Sequence, residues 1–193
     1  MSYKSIPGWF DWEDVYARWA AEAPPGSVFV EVGVFLGRSL SFLLEQLGDK
    51  PATVYAVDPW IDDMVPGSTA GKEEGLCTWG AELAAEGHAH GGPFESFLWN
   101  MREHCPGGLE RIKVLRLPSV KASYAVERAD YVWLDGDHNY GAIRADIQAW
   151  RGVARQAIGG HDYAPDFPGV RRAVDEAFGP GRHVSVGSWE VRL

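Results

Sequence analysis

FVEVGVFLGRSL, residues 29–40, opens as a strand and closes as a helix. β-branched and aromatic residues run to Val32, and apolar residues then recur at helical spacing through 38–47, RSLSFLLEQL. Gly33 and Gly37 lie at the junction. A glycine at 33 permits a tight turn or the close approach of a ligand, and one at 37 lets the helix pack tightly on the strand. The spacing E-x-G-x-x-x-G-x-S, over Glu31, Gly33, Gly37 and Ser39, differs from the G-x-G-x-x-G of dinucleotide dehydrogenases. It lacks one of the glycines that make room for a pyrophosphate at a helix N-terminus. Alone, such a loop serves a cofactor or is a plain strand-to-helix turn.

Outward from this junction the same alternation repeats. Residues 53–57 (TVYAV) form a second strand, ended by Asp58-Pro59, and 112–117 and 131–134 form two more. Tyr140, Ile143, Ile147 and Trp150 fall at helical intervals, with Asp137 or Asn139 as N-cap. Ala157-Ile158 reads as a fifth strand and 170–178 as another helix; the tail HVSVGSWEVRL reads as two short strands around Gly187-Ser188. Strand–helix alternation predicts an α/β fold, a mostly parallel sheet covered on both faces. In such sheets ligands bind outside the carboxyl ends of the strands.

Residues 61–92 interrupt the pattern with a glycine-rich insertion, read as a lid over the crevice. His88 and His90 within it can be metal ligands, though a solvated loop explains them more simply. Otherwise the 193 residues read as one domain with no internal repeat. A hydrophobic fraction of 46% excludes global disorder, and a net charge of −9 argues against a nucleic-acid partner. Cys77 and Cys105 have no zinc spacing; one disulfide between them is possible, and two reduced thiols is the simpler reading. No apolar run approaches the ~20 residues of a membrane helix. The expectation is a cytoplasmic protein, oligomeric or not, without a membrane partner.

Chemistry-bearing residues gather at the expected strand ends. Asp58 closes the second strand, where an acid accepts both hydroxyls of a cofactor ribose, or simply turns the chain before Pro59. VWLDGDHNY, 132–140, brings Asp135, Asp137 and His138 to the end of the fourth strand, and His161-Asp162 ends the fifth. Adjacent strands lie about 5 Å apart, so these groups converge on one patch if the two strands are neighbours. The alternative is a hydrogen-bonded structural cluster.

EVGVFLGRS and VYAVDPW together resemble the first two motifs of class I S-adenosylmethionine-dependent methyltransferases. DGDHNYGAIRADIQAW and GGHDYAPDFPGVRRAVDEAF are similar to methyltransferase family 24, related to macrocin-type sugar O-methyltransferases. The resemblance implies a Rossmann-like, doubly wound seven-stranded sheet in the order 3-2-1-4-5-7-6, its last strand antiparallel. It also implies that Glu31, Gly33, Gly37 and Ser39 hold the methionine part of S-adenosyl-L-methionine. Asp58 would bind the ribose, Trp60 border the adenosine and Ser119 approach the adenine. The acceptor would be a small molecule or sugar.

Related enzymes bind magnesium through carboxylates at these strand ends, which nominates Asp135, His161 and Asp162 as ligands of magnesium or manganese. His161 stands where an acid is usual, and imidazole suits manganese, iron or zinc better. His138 is the expected general base, since an unperturbed histidine titrates near neutrality, with His161 as the alternative and Asp135 beside both. Tyr163 and Phe167 are candidates for an acceptor pocket; Trp133 and Trp150 belong to the core. The N-terminal SIPGWFDWEDVY folds over the cofactor or covers the sheet as a helix, the latter for Val15 and Trp19. Two other readings are a cofactor-binding module without catalysis and a nicotinamide-dependent oxidoreductase.

Overall fold

The computed structural model describes residues 2–61, 81–180 and 183–193. Its sheet contains β1 (Ser27–Val32), β2 (Ala52–Val57), β3 (Ile112–Leu115), β4 (Ala129–Leu134), β5 (Ala154–Gly160), β6 (His183–Ser185) and β7 (Ser188–Arg192). Their order is β3-β2-β1-β4-β5-β7-β6. The first five are parallel, and β7 runs antiparallel between β5 and β6. This is the expected seven-stranded sheet. The third strand is shorter than its apolar run: the ladder ends at Leu115, where Leu117 N–H turns back to the Leu115 carbonyl at 2.8 Å.

Side-chain alternation along buried strands builds two cores. On one face Phe29, Val54, Tyr131 and Trp133 pack against α1 (Glu13–Glu22), α2 (Arg38–Leu47) and α4 (Pro93–His104). On the other, Val30, Val32, Val132, Leu134 and Ile158 pack with Ala122 of α5 (Ser119–Ser123) and against α6 (Tyr140–Trp150) and α7 (Pro168–Phe178). Trp133 and Trp150 are fully buried, as their sequence context requires.

The N-terminus covers the sheet as a helix, as expected for Val15 and Trp19, and the residues before that helix line a cavity. Val15, Tyr16 and Trp19 bury one face of α1 on the sheet, while Pro7, Trp9, Asp11 and Trp12 lead across the strand ends. Arg18 forms a bidentate pair with buried Glu190 of β7, and Trp19 Nε1 donates to the same carboxylate at 3.0 Å. These bonds fix where the preceding segment lies.

Most of the expected insertion, residues 62–80 with Cys77, lies outside the described residues, and with it the reading as a lid. The remainder is more regular than its composition suggests. It contains α3 (Ala81–His88), tied to α4 by the Ser96 hydroxyl donating to the Gly87 carbonyl at 2.9 Å. His88 Nδ1 meets its own helix at the Ala84 carbonyl, 2.7 Å away, and the His90 ring stacks on Trp99. The two histidines are engaged separately, one on its own helix and one on Trp99.

A candidate active site at the strand ends

Four residues immediately following strands extend the parallel ladder by one rung each. Gly33 N–H donates to Val57, Asp58 to Leu115, Asp135 to Val32 and His161 to Leu134, at 2.9, 3.3, 2.8 and 3.2 Å. Backbone pairing therefore holds the carboxylates and imidazole at the sheet edge on a rigid base. A cavity of about 770 Å³ opens above it, within the usual range for a small-molecule site.

Gly33 has φ +84°, and a Cβ there would lie 1.8 Å from the Asp135 carbonyl oxygen. The close approach expected of a ligand is made by the protein's own β4 loop. Gly37, also left-handed at φ +94°, faces Met101 and Phe97 of α4 and not the strand. Its expected packing role is corrected accordingly: it lets α4 dock against the start of α2.

Asp58 binds the glycine loop from the side. Its Oδ2 accepts the Phe35 N–H at 2.9 Å and its Oδ1 accepts the Trp60 N–H at 2.7 Å. A carboxylate has about four acceptor positions, more than these two bonds occupy. Trp60 Nε1 donates to the Phe35 carbonyl at 2.7 Å, closing the arrangement. Phe35, Trp60 and Asp162 all have positive φ and all line the cavity. Backbone strain of this kind persists where surrounding contacts over-determine it, often beside functional sites.

Glu31 does not line the cavity, and neither does Gly37, contrary to a direct role in holding the methionine part. Strand alternation turns Glu31 into the core, where its Oε2 accepts from Tyr16 and its Oε1 from Ser39, at 2.9 and 2.6 Å. Burial pushes its pKa up to about 8 against these hydrogen bonds. Ser39 does reach the cavity wall, so Glu31 acts behind it as a support. Gly33, Asp58, Trp60 and Ser119 line the cavity as expected.

At the other end the strand-end acids and histidines come together. His138 Nε2 lies 2.6 Å from Asp162 Oδ2 and 3.8 Å from Asp135 Oδ1. His161 Nδ1 lies 3.3 Å from Asp162 Oδ1 and 3.9 Å from Asp135 Oδ1. Its Nε2 meets Asp11 Oδ1 at 2.9 Å. Burial alone would lower both histidine pKa values, but the surrounding carboxylates outweigh it, raising His138 to about 10 and His161 to about 9. Asp162 is held well below the usual carboxylate range: the two imidazoles overcome the opposing effect of burial. In this state His138 is an imidazolium near pH 7. The expectation of a near-neutral base did not allow for the combined effect of Asp135, three residues before His138, and Asp162, at the end of the next strand.

Phe167 packs on His138 with ring centroids 5.2 Å apart and lines the cavity. Tyr163 turns away, its hydroxyl donating to Asp175 at 2.6 Å, so it leaves the acceptor candidates. Asp137 accepts the Asn139 N–H at 2.9 Å and shapes the turn into α6, where Asn139 is the N-cap residue.

Two site residues had escaped sequence reading. Asp11, in WFDWED, carries no local signal. Asp146 does: it falls within the buried stripe Ile143, Ile147, Trp150 of α6, where an acid is out of place.

A doubly wound sheet whose strand ends hold a glycine loop, a following acid and an acid–imidazole cluster is built to bind a ligand at its carboxyl edge. The family model for methyltransferase family 24, described as a methyltransferase domain, matches residues 30–163, and the chain belongs to that family. S-Adenosylmethionine is the methyl donor this family implies. Among solved structures, precorrin 8w decarboxylase from Methanobacterium thermoautotrophicum aligns at 14% identity over 100% of this chain and 91% of its own, with TM-score 0.56. Precorrin-6y C5,15-methyltransferase from Geobacter metallireducens aligns at 9% identity over 92% and 76%, with TM-score 0.54. An S-adenosylmethionine-dependent O-methyltransferase from Thermotoga maritima aligns at 12% identity over 89% and 51%, with TM-score 0.52. At these identities the likeness is one of fold. No curated protein sequence is significantly similar to the chain. Among the described residues no helix is long and apolar enough to cross a membrane.

Proposed function

We propose that the chain methylates a hydroxyl group of a small molecule or sugar, using S-adenosylmethionine and a divalent cation. The observation that carries this reading is the convergence of Asp135, His138, His161 and Asp162 beside the cofactor loop. A bound sulfonium is already activated, so the protein's task is to align the acceptor and remove its proton. Asp58 offers two oxygens to the ribose hydroxyls, and Ser39, buttressed by Glu31, meets the amino-acid end.

The donor set fits a cation. One ligand atom each from Asp135, His161 and Asp162 lies within 4.8 Å of the others. His161 presents Nδ1 to this group while its Nε2–H is positioned to donate to Asp11, the arrangement that orients many metal-bound imidazoles. A cation held there would lower the pKa of the acceptor hydroxyl. His138, once neutral, accepts the acceptor's proton at Nε2. Phe167 covers that imidazole and limits its contact with water.

Calorimetric titration with S-adenosylmethionine and with NAD, followed by methyl-transfer assays over hydroxylated acceptors with and without chelator, tests each part. Binding of the first alone and chelator-sensitive O-methylation are expected. Tight NAD binding would restore the oxidoreductase reading; cofactor binding without transfer to any acceptor would favour a non-catalytic module. Asp58→Ala should weaken the cofactor by roughly 10- to 150-fold, the equivalent of about 1.5–3 kcal/mol for hydrogen bonds to a charged group.

A further inference from the structure

Arg38 is the one Lys or Arg among the described residues that line the cavity, where aspartates supply most of the charge. It opens α2, a position at which the helix dipole disfavours a cation, and no acid stands in that first turn. Its Nη1 donates to the Gly8 carbonyl at 2.7 Å, and this neutral oxygen is its one hydrogen-bond partner among the described residues. Nε is buried without an acceptor. The guanidinium thus gives up hydration with no ion pair in return, and an anion entering the cavity supplies what is missing.

The surroundings locate that anion. Trp9, 61% exposed, stacks beside Phe35 with ring centroids 6.3 Å apart, and both line the cavity with Gly8. Residues 8–11 join Arg38 to the acid–imidazole cluster, since Asp11 meets His161 at 2.9 Å. Three residues of chain span at most about 11 Å. A molecule built on one ring is long enough to set a hydroxyl at His138 and a charge at Arg38, its apolar body against Trp9. Nη2 and the second Nη1–H form a planar edge that matches the two oxygens of a carboxylate. Near the cavity's aspartates the same carboxylate would be repelled.

We infer that Arg38 is a specificity-determining residue that pairs with a carboxylate on the methyl acceptor, which makes hydroxylated carboxylic acids the preferred acceptor class. The inference rests on the O-methyltransferase reading of the same cavity. Arg38 is tied through Gly8 to the segment that contacts His161, on the acceptor side. That connection favours the acceptor's carboxylate over the one at the cofactor's amino-acid end.

The test is calorimetry on protein saturated with S-adenosylhomocysteine and manganese, comparing dihydroxyphenylpropanoate with its neutral carboxamide. The wild type should bind the carboxylate roughly 10- to 150-fold more tightly, the range for hydrogen bonds to a charged group. Arg38→Met should contract this preference to within about threefold, and Arg38→Lys, which lacks the planar fork, should restore only part of it. Affinity for S-adenosylhomocysteine, titrated separately, should change little in Arg38→Met. A preference that survives that substitution would overturn the inference. So would an equally large loss of S-adenosylhomocysteine affinity, because Arg38 would then serve the cofactor's own carboxylate. Equal binding of both compounds by the wild type, or of neither while S-adenosylhomocysteine still binds, would overturn it without any variant, including the case in which Arg38→Met fails to fold. Failure of S-adenosylhomocysteine to bind would remove the cofactor reading itself, and this inference with it.

Discussion

His138 Nε2 and Asp162 Oδ2, carried by the loops beyond β4 and β5, stand 2.6 Å apart. This pairing makes the sheet's central crevice an electrostatic unit. It also sets the protonation of the group best placed to act as base.

The pH dependence follows from the raised His138 value of about 10, where hydrogen bonding and charge from Asp135 and Asp162 override burial. The stabilisation from this imidazolium is fully present below the ordinary histidine value of about 6.5 and is lost as pH rises through 10. Nuclear magnetic resonance titration of the metal-free protein should place His138 at least about 2 units above that ordinary value. Asp162→Asn should bring it down. A wild-type His138 titrating at or below 6.5 would remove this account.

Asp11 reaches His161 from 150 residues away along the chain. If it orients His161 toward a cation, Asp11→Asn should reduce manganese affinity by about 10- to 100-fold, the usual cost of losing such a partner. Electron paramagnetic resonance of bound manganese measures this without an acceptor. Equal affinity in the variant would show Asp11 to be a surface partner only.

Two left-handed glycines should respond unequally to alanine. At Gly33 a Cβ would strike a backbone carbonyl 1.8 Å away, whereas at Gly37 the nearest atom is the flexible Met101 Sδ at 3.0 Å. Gly33→Ala should cost about 4 kcal/mol or more, or prevent folding. Gly37→Ala should cost about 1–3 kcal/mol, mainly for the backbone conformation. Denaturant unfolding that gave equal losses would contradict this.

Buried Glu31 makes stability fall as pH rises. Its pKa, raised to about 8 by burial, means the folded state holds a proton that the unfolded chain releases at ordinary carboxylate pH. Its favourable contribution is therefore present below about 4.3 and lost progressively as pH climbs to 8. Glu31→Gln should flatten this slope when unfolding is measured at pH 5, 7 and 9. Parallel pH profiles for wild type and variant would show that Glu31 is already ionised in the fold.

Periodicity in the sequence was enough to locate β1, α2, β4 and α6, because burial on one face repeats every few residues and needs no knowledge of distant partners. The acids Asp58, Asp135 and Asp162 were legible for a related reason: polar residues immediately beyond apolar strands mark the sheet's carboxyl edge. Likeness to a known family supplied the strand order, which local periodicity does not encode. Tertiary structure alone decided that Glu31 lies behind the cavity wall, that Tyr163 turns toward Asp175, and that Asp11 reaches His161. It alone made His138 a cation in the free protein and brought Asp146 to the cavity. Such properties depend on charges and hydrogen bonds acting over a few ångströms between segments far apart in the chain, and only folding sets those distances.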